Sequence, residues 1–224
     1  MLPAQLRLKL EHPAPFRRDD FIPSASTVEA LTLLDRWPDW RGGALALIGP
    51  AGSGKTHLAS AWAEQVGARK VDVGGVDAAD LLVLEGVPVL LEDADRPGLD
   101  ELLFHLINMA ARPGGSLLVT ARTAPKSWPA ALPDLRSRLN ALPVALLAEP
   151  DDAVLTALLE KFFRERSIRP PDDLLPYLVR RIERSAPSAR EIVARLDERA
   201  DAERRSVSKA LAREILGQEA EEPE

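Results

Sequence analysis

The 224-residue chain carries 29 Lys+Arg against 35 Asp+Glu, a formal charge of -6. That balance, shared by both halves of the chain, argues against a general nucleic-acid coat, which needs clustered cations to hold phosphate. The absence of cysteine excludes disulfide staples, thiolate nucleophiles and Cys-ligated metals, and 46% hydrophobic content suffices for a substantial core. The three histidines, at 12, 57 and 105, have no metal-ligand spacing. The N-terminus lacks the pattern of a secretory signal, and no stretch approaches 18 uninterrupted apolar residues. A cytoplasmic protein without membrane attachment is expected.

Prolines at 3, 13, 15 and 23 break any helix in the first 25 residues. Apolar positions 28, 31, 33, 34 and 37 predict an amphipathic helix over 26–37, capped by Ser26. A short apolar run at 44–48 leads into a glycine-rich turn, and 55–66 reads as a helix. Further short runs at 70–73, 87–91, 116–120 and 143–147 read as strands, and the clearest helix covers 100–111. Short buried strands alternating with helices predict an α/β fold built on a parallel sheet. Strand signals stop after Pro150. Apolar residues at 154, 155, 158, 159, 162 and 163 predict a helix over 151–166, capped by Asp151 or Asp152. Helices over 173–184, 189–200 and 206–216 follow, the second of these opening on a capping box of Ser188 and Glu191. The expected organisation is a tail at 1–15, an α/β nucleotide-binding domain at 16–150, a small all-helical domain at 151–217 and an acidic tail at 218–224.

Gly49-Pro50-Ala51-Gly52-Ser53-Gly54-Lys55-Thr56 matches G-x-x-x-x-G-K-[ST] at every fixed position, between an expected strand and an expected helix. Glycines let backbone N–H groups turn inward around phosphate oxygens, and the helix N-terminus favours negative charge. Lys55 then reaches the β- and γ-phosphates, and the Thr56 hydroxyl ligates Mg²⁺. The expected ligands are ATP or ADP with Mg²⁺, and His57 continues the binding segment.

The run at 87–91 ends in Glu92 and Asp93. In this arrangement the first acid holds Mg²⁺, often through water, and the second polarises the attacking water. The first acid is Glu rather than the commoner Asp, so its carboxylate lies about 1.5 Å farther out, one C–C bond. Nucleotide binding should survive this change, whereas hydrolysis is placed in doubt.

With these motifs the chain resembles the DnaA-related AAA+ family, and more closely its short Hda-like form, the regulatory inactivators of DnaA. The resemblance runs from about residue 16 to 216. Besides the phosphate loop it rests on 101–108 (ELLFHLIN), 117–125 (LLVTARTAP), 132–139 (LPDLRSRL) and 186–194 (APSAREIVA). It implies an AAA+ P-loop NTPase with a five-stranded parallel sheet in the order 5-1-4-3-2, followed by a helical lid. Arg138 then matches the arginine finger, and Arg190 matches the lid sensor that touches the chain's own nucleotide. Asp20, Phe21 and Ile22 fall where the family's adenine pocket begins. Arg122 stands where the family's sensor motif carries Asp, a second departure on the path of the chain's own hydrolysis.

Gln5-Leu6-Arg7-Leu8-Lys9-Leu10 resembles the peptide by which Hda-like proteins bind the DNA polymerase III sliding clamp (beta). Gln5 supplies polar registry, while Leu6, Leu8 and Leu10 are apolar anchors for a groove. Alternating leucines also suit a half-buried strand. The resemblance further implies that the initiator's DNA-binding domain is missing, so that DNA is reached only through the clamp. The expected function is a clamp-docked regulator that stimulates hydrolysis of DnaA-bound ATP through Arg138 supplied in trans. Its own hydrolysis is expected to be weak, and a homodimer is left open. The alternatives are a stand-alone ATPase of the helicase-loader type and a clamp adaptor without trans catalysis.

Overall fold

The computed structural model of the protein describes residues 17–72 and 83–219. Five strands form one parallel sheet: β1 (Ala44–Ile48), β2 (Arg69–Val71), β3 (Pro88–Leu91), β4 (Ser116–Ala121) and β5 (Val144–Leu146), in the order β2-β3-β4-β1-β5. Read from the other edge this is the expected 5-1-4-3-2. β1 and β4 are buried at every position, as strands covered on both faces must be. Ile48 pairs with Ala121 on one side and Leu146 on the other, which aligns the C-terminal ends of β4, β1 and β5.

Alternation along the strands sends side chains to two separate cores. Ala46, Ile48, Leu91, Val119 and Ala121 pack with α3 (Asp100–Ala110) and α4 (Pro133–Ala141) through Leu103, Leu106, Leu135 and Leu139. Leu45, Leu47, Leu90, Leu118 and Leu147 pack on the opposite face with α1 (Val28–Leu34) and α2 (Lys55–Val66). Truncating one of these buried leucines to alanine costs about 2–5 kcal/mol.

A third core holds α5 (Asp152–Glu165), α6 (Leu174–Val179), α7 (Ala186–Ala202) and α8 (Lys209–Glu219) together. Leu159, Phe163, Leu178, Val193, Leu196 and Leu211 are fully buried in it. Asp151 caps α5, its carboxylate accepting from Val154 N at 2.8 Å.

Several helix ends differ from the sequence expectation. α1 begins after Thr27 rather than Ser26, because the Thr27 hydroxyl is tied back to Ser24 N and O. α6 stops at Val179, where the chain turns through Arg181 N donating to Leu178 O. α7 begins three residues before the expected start. Its cap is Ser185, in extended conformation, which accepts from Ser188 N at 3.1 Å, and Pro187 occupies the first turn, where its missing N–H is harmless. Ser188 is therefore the third residue of the helix, not its cap. α8 is displaced toward the C-terminus because Ser208 caps it, accepting from Leu211 N at 3.3 Å.

Candidate nucleotide-binding site

The C-terminal edge of a parallel sheet is where open α/β folds bind ligands. Here that edge carries the loop at 49–56 after β1, Glu92 and Asp93 after β3, and Arg122 after β4. Gly52 (φ +71°) and Gly54 (φ +94°) give the loop its left-handed turns. A Cβ at Gly52 would overlap the Ser185 Cβ, and one at Gly54 would lie 2.7 Å from Phe21 Cε2. Both glycines thus admit close neighbours from outside the loop, the cap of α7 and the aromatic ring preceding α1.

Lys55 is 9% exposed, and its Nζ donates to Gly49 O at 2.8 Å and Pro50 O at 2.7 Å. Burial, then the nearby Arg122 charge, holds this ammonium below its usual 10.5, while Asp93 and Asp95 pull it upward. Ser53 Oγ is buried without a hydrogen-bond partner among the described residues. A desolvated cation and an orphaned hydroxyl in a glycine-walled loop fit a phosphate ligand.

Thr56 Oγ1 donates to Glu92 Oε2 at 3.0 Å. The longer Glu side chain therefore does reach the loop hydroxyl. Asp93 has φ 53°, and its backbone N donates to Thr120 Oγ1 at 3.2 Å. Its carboxylate accepts from Arg96 at 2.6 Å rather than standing free. Thr56 and Glu92 could hold Mg²⁺. Among the described residues there is no cluster of three His, Cys, Asp or Glu suited to a metal. A cation here would accordingly take its other ligands from phosphate and water, as Mg²⁺ does at such sites.

Two cavities adjoin the loop and share Asp20, Gly52, Gly54, His57, Leu158 and Ala186 among their linings. One is walled by Phe21, Ile22, Val154 and Leu158, an apolar lining suited to a flat base. The other adds Lys55, Thr56, Lys161, Phe162 and Arg190, a cationic lining suited to phosphates. His57 accompanies Phe21 with ring centroids 6.1 Å apart, and its Nε2 lies 2.8 Å from Arg17 O.

Arg190 is the fifth residue of α7, beyond its first turn, where an arginine opposes the helix dipole little. Its guanidinium lies 4.2 Å from the Phe162 ring centre and 3.5 Å from Glu165 Oε2. Arg138, in the last turn of α4, lies outside both cavities, 5.3 Å from the Phe104 ring centre on α3. Gln5, Leu6, Leu8 and Leu10 fall outside the described residues.

Four contributors escaped the sequence reading. Ser185 packs on Gly52. Lys161 lines the cationic cavity and binds the Asp20 carboxylate at 2.7 Å, which holds that carboxyl below its usual 3.8. Asp95 Oδ2 accepts from Arg122 N at 2.9 Å and from Thr123 N and Oγ1 at 3.2 Å, and Arg96 binds Asp93. Only the acidic run at 92–95 offered a signal. Ser185 and Lys161 reach Gly52 and Asp20 across long stretches of chain, whereas Arg96 lies three residues from Asp93.

No family model and no curated protein matches the sequence. The fold, however, is similar to solved AAA+ structures. Domain III of the replication initiation protein DnaA from Thermotoga maritima aligns with TM-score 0.75 at 18% identity, covering 94% of this chain and 98% of that one. AMPPCP-bound DnaA from Aquifex aeolicus aligns with TM-score 0.67 at 14% identity, over 82% of this chain and 65% of that one. The Thermotoga maritima RuvB Holliday junction branch migration motor aligns with TM-score 0.70 at 17% identity, over 91% and 72%. The chain therefore has the AAA+ P-loop NTPase fold.

Proposed function

We propose that this chain is a nucleotide-binding regulator of replication initiation that supplies Arg138 to ATP held by DnaA. ATP or ADP with Mg²⁺ binds between the α/β part and the helical part, its base beside Phe21 and Ile22 and its phosphates at residues 52–56 and Arg190. Gly49, Pro50 and Ala51 form the entry to that loop. Residues 16–150 act as the nucleotide-binding domain and 151–217 as the lid. Gln5, Leu6, Leu8 and Leu10 dock on the DNA-loaded clamp, so that DNA is reached through it.

The observation that carries the reading is the separation of two arginines. Arg190 lines the cavity that contains Lys55, whereas Arg138 lies outside it against Phe104. A guanidinium that does not serve its own chain's phosphates is available to a neighbour's, where such a group can raise hydrolysis by about 10³–10⁵-fold. The likeness to DnaA domain III gives that neighbour a compatible fold.

A stand-alone ATPase is the second reading, favoured by the Thr56–Glu92 contact. Against it, Asp93, the acid expected to polarise water, is turned to Arg96. The test is hydrolysis of DnaA-bound ATP in the presence of clamp-loaded DNA. The reading expects stimulation by the wild-type chain and its loss with Gln5→Ala. Turnover by the chain alone, abolished by Lys55→Ala, together with no effect on DnaA, would establish the second reading instead.

A further inference from the structure

α4 carries two arginines, and their surroundings differ. Arg136 is engaged within the fold, its Nη1 donating to Lys126 O at 3.1 Å. Arg138 is exposed, and its guanidinium makes no hydrogen bond or ion pair among the described residues. Asp134 stands one turn earlier on the same helix, at the spacing of a helical salt bridge, yet the two do not pair. The guanidinium instead lies 5.3 Å from the centre of the Phe104 ring on α3. That ring is half-buried, packed against the core in which Leu103, Leu106, Leu135 and Leu139 join α3 to α4. Arg190, at the chain's own phosphate cavity, also lies over a ring but reaches a carboxylate as well, Glu165 Oε2 at 3.5 Å.

We infer that Phe104 is a positioning residue, whose ring holds the exposed Arg138 guanidinium in place with its charge and N–H donors free for a phosphate. A carboxylate in the same place would neutralise the charge and occupy two donors, and an incoming phosphate would have to displace it. The ring attracts the cation through its quadrupole and leaves the charge available. It also restricts a long side chain that otherwise samples many rotamers, so part of the ordering cost falls before a partner arrives. The core beneath Phe104 fixes the ring in turn, which ties an exposed arginine to the packing of α3 on α4.

The inference rests on the reading of Arg138 as a group supplied to a partner's ATP, and one set of rates separates the two. Hydrolysis of DnaA-bound ATP with clamp-loaded DNA is followed in single turnover over a range of full-chain concentrations. The chains compared are wild type, Arg138→Ala, Phe104→Leu and Phe104→Tyr. Leucine keeps an apolar group on the core but removes the ring face, whereas tyrosine keeps both. Phe104→Leu should lower the rate at saturation by about 5- to 100-fold, from a lost ring contact at the low end to a displaced guanidinium at the high end. Its half-saturating concentration should stay unchanged, and Phe104→Tyr should return the rate to within about threefold of wild type. An undiminished rate at saturation with Phe104→Leu, or a loss that Phe104→Tyr does not restore, would overturn the inference while Arg138 keeps its role. No loss with Arg138→Ala would overturn that role itself.

Discussion

The Thr56 hydroxyl donates to Glu92 Oε2 at 3.0 Å, tying the first turn of α2 to the end of β3. A hydroxyl that donates to a carboxylate keeps its lone pairs for a cation, so in the proposed site Glu92 would orient Thr56 toward Mg²⁺. Removing such an orienting partner typically costs 10–100-fold in metal affinity. Glu92→Ala should therefore reduce the Mg²⁺-dependent gain in nucleotide affinity by about tenfold or more. Thr56→Ala should do the same, and the double variant should lose little more than either alone. Additive losses in nucleotide titrations with and without Mg²⁺ would show that the two side chains act independently.

The contact between Gly52 and Ser185 joins the phosphate loop to the cap of α7. Gly52→Ala introduces a Cβ into that contact at φ +71°, and should destabilise the chain by about 1–3 kcal/mol. Thermal unfolding should report the loss. Ser185→Gly, which removes the opposing Cβ, should restore part of it, since glycine is a tolerated cap. No rescue would mean that the cost is backbone strain alone.

Lys55 carries a pH signature. Burial and Arg122 lower its proton affinity, whereas a bound phosphate raises it. Binding therefore takes up protons between these two values. Affinity should be flat below the lowered value and fall with rising pH through the window, by up to about tenfold per unit. Calorimetric titration in buffers of different ionisation enthalpy should detect this uptake on the alkaline side, and Lys55→Arg should abolish it.

Asp20 behaves oppositely. Its hydrogen bond from Lys161 lowers its proton affinity, so the stabilisation is fully present above 3.8 and is lost as pH falls below that value. The pair is largely exposed, which limits it to a few tenths of a kcal/mol up to about 1 kcal/mol. Asp20→Asn should destabilise the chain at neutral pH and show a smaller loss on acidification than wild type, measured by denaturant unfolding.

The phosphate loop, the buried apolar strands β1, β3 and β4 and the acidic end of β3 were legible because each is a local pattern with a single physical solution. Helix ends were less so. Ser188 and Glu191 satisfy the capping pattern, yet Ser185 wins because Pro187 is better placed inside the first turn than before it. The side-chain partners were not legible at all. Lys161 meets Asp20 across 141 positions, and Asp95 meets Thr123 across 28, distances over which periodicity carries no information. The length of Glu92 alone argues against metal binding, and only the position of α2 shows that this length reaches Thr56.

The proposed role of Arg138 is tested most directly by single-turnover hydrolysis of ATP pre-bound to DnaA, with clamp-loaded DNA present. Wild-type chain should accelerate it, whereas Arg138→Ala should return the rate to that of DnaA alone while clamp binding and the chain's own nucleotide affinity stay unchanged. Undiminished stimulation by Arg138→Ala would contradict the account.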